Sequence, residues 1–242
     1  MGGQMAEKEQ ELIARVVDLF AVRFDKRAVL RGGMVLRILG SPRLTNDLDY
    51  FFVQYKSKKD IVPEILQCLK SIEGAKISHS INSKCLRVVL TAGGATIQIE
   101  AKAAMTARTS MASTRSLSRD FNLPPRMVCI SDHSVSLANK LAAWNERRLI
   151  RDIYDVWFYL QMGIMPDKET LETRLRKPDY SRIVSRIDRF SGSTADEFYD
   201  FIRQWVSNLT DAEIGESMAD YLPREEIVGL AMQFRAALAK LH

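Results

Sequence analysis

The sequence predicts an α+β chain, with strands and helices mixed in the first half and helices from about residue 131 onward. Three observations carry that prediction. Asp47 to Tyr50 alternate polar and apolar side chains and lead into an apolar run that ends at Gln54, which reads as a strand. Residues 86–90 and 95–101 behave as strands around Thr91-Ala92-Gly93-Gly94, a hairpin signal. Beyond residue 131 the pattern is helical and is punctuated near Gly163 and Pro166, at Pro178, Ser191-Gly192-Ser193 and Pro223.

The elements follow in order. Residues 6–24 place Leu12, Val16, Leu19 and Phe20 on one side of a helix. Ala28–Leu30 is a short strand feeding Gly32-Gly33, and residues 34–39 start a helix behind it. Residues 61–72 form an amphipathic helix, with Pro63 in its first turn, where proline is tolerated. Residues 102–126 are rich in Ser and Thr and carry five cations against one acid, which reads as a long loop or lid. Such a segment closes over a nucleotide, grips an RNA backbone, or is plain mobile surface. Residues 127–130 are a last strand, and Ser131 is a suitable N-cap for the next helix.

Composition bounds the rest. With 242 residues and 46% hydrophobic content, the chain fills one large domain or two modest ones, here divided as 1–130 and 131–242. No apolar run approaches the ~20 residues that span a bilayer. The first residues lack a signal-peptide core, and Ala6 stands where a myristoylation motif wants Ser or Thr. Cys68, Cys85 and Cys129 are distant from one another and lack metal-site spacing, as in a reducing cytoplasm. Net charge is +5, but residues 1–130 carry 20 Lys/Arg against 12 Asp/Glu, whereas the remainder carries 15 against 18. A basic half suits a polyanionic partner, and it also suits simple solubility.

Two motifs carry chemistry. Gly32-Gly33 removes Cβ from a stretch of backbone, so that phosphate can approach it. Asp47-Leu48-Asp49 places two carboxylates on one face of a strand. Like charges that close repel unless a cation lies between them. Mg²⁺ binds through one or two carboxylates and completes its shell with water and phosphates. In this order and spacing, the two motifs are the layout of a metal-dependent nucleotidyltransferase site. Glu100 ends the polar face of its strand and is a candidate third ligand; an edge-strand surface carboxylate is the competing reading. His79, His133 and His242 are isolated, and there is no Walker A sequence, no GxGxxG and no nucleophile elbow.

Lys140, Trp144, Arg147, Arg151 and Asp155 recur at helical steps and would form one mixed stripe if a single helix ran through them. That stripe is either a solvated face with an Arg151–Asp155 pair or a row of cations reaching triphosphate oxygens. A break near Arg148 would change it.

In this order the motifs resemble the AbiEii/AbiGii-type nucleotidyltransferase toxins of bacterial abortive-infection and toxin–antitoxin systems. The resemblance is carried by Arg31-Gly32-Gly33 with Leu36, by Arg43-x-Thr45-x-Asp47-x-Asp49, and by Ile97-x-Ile99-Glu100. Its last blocks are Leu137-x-x-Lys140-x-x-Ala143, Arg147, and Arg151-Asp152-x-x-Asp155. Two positions depart from it. Arg31 stands before the Gly pair in place of the usual Lys, and Met34-Val35 follow in place of Thr-Ser or Thr-Ala.

The resemblance implies a nucleotidyltransferase fold, with a small mixed sheet flanked by helices and then a helical C-terminal domain. It implies that Asp47, Asp49 and Glu100 hold Mg²⁺, with two ions expected. It makes Lys140 and Asp155 active-site residues, and Gly32, Gly33, Arg43, Thr45, Lys140, Arg147 and Arg151 nucleotide contacts. The expected reaction moves a nucleoside monophosphate from an NTP to an acceptor hydroxyl, with RNA and in particular a tRNA 3′ end favoured. A protein acceptor and a non-catalytic nucleotide- or RNA-binding module stand as alternatives. An antitoxin protein is an expected partner, and the expected location is the cytoplasm.

Overall fold

A computed structural model describes residues 2–178 and 189–242. The chain divides into two compact units, Met1–Ser131 and Asp132–His242.

The first unit is built on a seven-stranded mixed sheet. Its strands are β1 (Ala28–Arg31), β2 (Asp47–Val53), β3 (Lys76–Ile81), β4 (Leu86–Ala92), β5 (Ala95–Ala104), β6 (Thr109–Ser113) and β7 (Met127–Ser131). Their spatial order is β3-β4-β5-β2-β1-β7-β6. The β4–β5 hairpin turns on Gly93 and Gly94, both at positive φ (58° and 81°), as a tight two-residue turn requires. The β2–β5 and β1–β7 pairs are parallel and the others antiparallel.

Alternation sends Leu48, Tyr50 and Phe52 of β2 and Ile97, Ile99 and Ala101 of β5 into the core. Helices α1 (Gly2–Phe24) and α3 (Lys58–Leu69) cover that face with Ile13, Val16, Phe20, Phe24, Ile61 and Ile65. Phe20, Phe24, Tyr50 and Phe52 meet there in tilted and edge-to-face contacts with centroids 4.9–5.9 Å apart. Burial drives the Tyr50 phenol far above its usual range.

Three local expectations change. Helix α3 begins at Lys58, because Ser57 caps it and its amide donates to Asp60 Oδ2 at 2.9 Å; Pro63 therefore falls in the second turn. Strand β3 was not expected, because its side chains are almost all exposed and no apolar period marks it. Residues 102–126 are not a lid. β5 runs to Ala104, β6 pairs with β7, and helix α4 (Arg115–Arg119) buries Leu117, while Ser116 Oγ donates to the Ile38 carbonyl at 2.9 Å.

The second unit is helical: α5 (His133–Arg147), α6 (Ile150–Gln161), α7 (Lys168–Arg176), α8 (Ala195–Ser207), α9 (Asp211–Met218) and α10 (Leu230–Leu238). Asp132 caps α5 by accepting from the Val135 amide at 3.2 Å, while Ser131 closes β7. Trp144, Tyr154, Phe198 and Phe234 are fully buried. The expected break at Pro178 adjoins residues outside those described; α6 ends before Gly163, and α8 starts just after Ser191-Gly192-Ser193. No helix among the described residues is long and apolar enough to cross a membrane.

Candidate active site

In the first unit the site grows from the turn between β1 and the short helix α2 (Gly33–Ile38). Gly32 has φ 73° and ψ −153°, a conformation that only glycine adopts readily. A Cβ at Gly32 would overlap Asp49 Oδ2, so the missing side chain makes room for that carboxylate. A Cβ at Gly33 would overlap the Arg43 guanidinium and lie 3.2 Å from Thr45 Oγ1. Arg43 and Thr45 are buried, and Arg43 Nη1 donates to the Leu44 carbonyl at 3.1 Å. They line the glycine cradle rather than stand in the open. A threonine hydroxyl thus lies beside Gly33, although the positions after the Gly pair hold Met and Val.

Asp47 is exposed and Asp49 half-buried on the sheet face opposite the core. Register sets Asp49 opposite Arg31 on β1 and opposite Glu100 on β5, so these side chains share that face. The Arg31 guanidinium stacks on Phe51, 4.1 Å from the ring centre. Glu100 Oε1 accepts from Arg87 of β4 at 3.0 Å and from Gln98 at 3.3 Å. Cys85 is buried, and its thiol is pushed up first by burial and then by the Glu100 charge.

Asp47, Asp49 and Glu100 therefore share a face. Among the described residues, however, no three His, Cys, Asp or Glu side chains lie close enough to hold a metal ion. Glu100 is instead engaged by Arg87, whose Nη2 lies 3.0 Å from its Oε1. Strand alternation around Arg87 and the antiparallel hairpin was the signal that could have found it. The Asp47–Asp49 pair still fits a small hard cation: two carboxylates two residues apart on a strand, next to a backbone without Cβ.

The second unit holds the other expected residues. Arg148 adopts the left-handed conformation (φ 53°), which ends α5 and starts a new helix at Ile150. The unbroken stripe does not form. Trp144 is fully buried, and Arg148 stacks on it, 4.0 Å from the ring centre. Arg151 turns to Tyr221, with Nη1 3.2 Å from the phenol oxygen and the guanidinium 5.6 Å from the ring.

The break brings Lys140, Arg147, Asp152 and Asp155 together. Lys140 Nζ lies 2.5 Å from Asp155 Oδ2 and 3.8 Å from Asp152 Oδ1. Arg147 grips Asp152 with two bonds of 2.6 Å, and both aspartates have no exposed surface. Burial, helped by the neighbouring Asp155 charge, pushes the Tyr159 phenol well above its usual range. In the sequence, the one sign of a role for Asp152 is its spacing of three from Asp155. Glu146 is buried, and its Oε1 lies 2.7 Å from Arg174 Nη2.

The model of the AbiEii nucleotidyl transferase toxin of type IV toxin–antitoxin systems matches residues 16–237. The chain belongs to the AbiEii family. Among curated protein sequences, none matches significantly. Solved structures give the fold. MenT4, a nucleotidyltransferase toxin from Mycobacterium tuberculosis, is 14% identical with a TM-score of 0.60, over 98% of this chain and 85% of that one. JHP933 from Helicobacter pylori is 14% identical with a TM-score of 0.56, over 97% of this chain and 90% of its own. This AbiEii-family chain thus has a nucleotidyltransferase fold, with the Gly32-Gly33 turn and the Asp47–Asp49 strand on one sheet.

Proposed function

We propose that this chain transfers a nucleoside monophosphate from an NTP to the 3′ hydroxyl of an RNA, in particular a tRNA 3′ end. The observation that carries the reading is the packing of Asp49 Oδ2 against Gly32, which sets a carboxylate of the acidic pair directly at the glycine turn. Asp47 and Asp49 would hold divalent metal, with two Mg²⁺ ions expected. When bound, the metal neutralises charge on the phosphates and lowers the pKa of the acceptor hydroxyl.

The chain's own residues do the rest. Gly32 and Gly33 admit the triphosphate, and Arg43 and Thr45 keep the cradle in shape beneath it. Glu100, beside Asp49 in register, takes the proton from the acceptor hydroxyl, and would serve as third ligand only by leaving Arg87. The acceptor oxygen forms a bond to the α-phosphorus as the bond to the β-phosphate bridge breaks, and pyrophosphate leaves. The family resemblance makes Lys140 and Arg147 further triphosphate contacts; within the second unit they engage Asp155 and Asp152. Arg151 drops out of the nucleotide set because it is committed to Tyr221. The type IV toxin–antitoxin family supports an antitoxin protein as the cellular partner.

Incubation with each labelled NTP, Mg²⁺ and total RNA tests the proposal. It predicts label in RNA. Label in protein alone would establish the alternative acceptor, and no label with any NTP would leave a binding module.

A further inference from the structure

The sheet that carries Asp49 continues past it for three strands, and its outer face there is polar. Asp49 is in register with Glu100 of β5, Glu100 with Arg87 of β4, and Arg87 with Ser80 of β3. At 4.7–4.9 Å per strand, this row runs about 14 Å from the acidic pair to the sheet edge. Lys102 flanks the row on β5, and Ser78 and Lys76 extend it along β3. Lys76, Ser78, Ser80 and Arg87 are all exposed.

The opposite face of β4 and β5 is sealed by Leu86, Val88, Leu90, Ile97 and Ile99, each 2% exposed or less, so alternation pins the polar side chains outward. The Glu100 charge is met by Arg87, which leaves Lys76 and Lys102 as the excess. Cations and hydroxyls without a large apolar anchor are the groups that contact phosphate and sugar. They do not resemble a protein hot spot, which is centred on buried aromatic residues.

We infer that the open face of β3, β4 and β5 is a platform for the backbone of the RNA acceptor, leading its 3′ hydroxyl to Asp47 and Asp49. The inference rests on the RNA reading above. The rival is the cluster of Arg108, Arg115 and Arg119 around β6 and α4, at the far edge of the same sheet.

The test measures labelling of RNA by the full-length chain, with the KM for RNA and for NTP taken across ionic strength. The variants are Lys76→Ala with Lys102→Ala, Lys76→Glu alone, and Arg108→Ala with Arg115→Ala and Arg119→Ala. The platform predicts a roughly tenfold rise in KM for RNA in the first two and an unchanged KM for NTP. It also predicts a salt slope shallower by about 1.4 in the double variant, at about 0.7 per phosphate contact for a single strand. The arginine variant should match wild type. Wild-type KM for RNA and wild-type slope in both platform variants, with RNA still labelled, would overturn the platform alone. A loss confined to the arginine variant would move the acceptor to the other edge. Wild-type label in protein, or in nothing, would overturn the platform and the RNA reading together.

Discussion

The molecule carries two pairs of aspartates, and they stand in opposite states. Asp47 and Asp49 lie two residues apart on a strand, one exposed and one half-buried, and Asp49 packs against a glycine turn with room for its oxygen. Asp152 and Asp155 lie three apart on a helix with no exposed surface, and Lys140 and Arg147 bind them at 2.5–2.6 Å. Paired carboxylates are therefore not a metal site in themselves. The strand pair keeps surface that solvent reaches, whereas the helix pair is sealed in together with its counter-charges. In the second pair the ions join α5 to α6 across the break at Arg148, so their first effect is on folding.

The largest expected effect tests that clamp. Asp152→Ala removes both 2.6 Å bonds from the part-buried Arg147 guanidinium, while Lys140 keeps Asp155, and should cost about 3 kcal/mol in denaturant unfolding. A variant as stable as wild type would remove the clamp from the account.

Next comes the glycine turn. Gly32→Ala forces a side chain into a glycine-only conformation, at about 1–3 kcal/mol, and drives its Cβ against Asp49. It should lower transfer more than tenfold for less stability loss than Asp152→Ala. Retained transfer would mean that the Asp49–Gly32 packing does not matter to the reaction.

Glu100→Gln breaks a half-exposed ion pair with Arg87 and should cost no more than about 1 kcal/mol. Turnover should nevertheless fall strongly, with NTP affinity little changed, because the triphosphate is held elsewhere. Unchanged turnover would return Glu100 to the role of an edge-strand carboxylate. Smallest is Arg151→Ala, which loses only its stacking and bond to Tyr221, about 0.5–1 kcal/mol. Its NTP binding, read by titration, should equal wild type; weaker binding would return Arg151 to the nucleotide set.

The contrast also explains what the sequence could show. Strand β2, the β4–β5 hairpin and the glycine turn were legible because each has a local signature: alternation, or paired glycines between strands. The break between α5 and α6 was not, because a non-glycine residue takes the left-handed turn there. Arg148 is stacked on Trp144 and Phe201, at 4.0 Å and 5.0 Å from the rings, and Phe201 is distant in sequence. Strand β6 looked like a loop because Ala112 alone of its residues is buried, and its order comes from pairing with β7. Asp47 and Asp49 could be placed on one face from spacing. That Arg87 would engage Glu100 depends on hairpin register, which no composition displays.

The central claim is that Asp47 and Asp49 together form the metal–nucleotide site. Thermal melts of wild type, Asp47→Asn and Asp49→Asn, each with and without Mg²⁺ plus NTP, test it most directly. Wild type should gain about 2.7 kcal/mol at a ligand concentration 100 times its dissociation constant. Both variants should fold as well as wild type without ligand, since each relieves like-charge repulsion, and should lose most of that gain. Equal gains in all three proteins would contradict the claim.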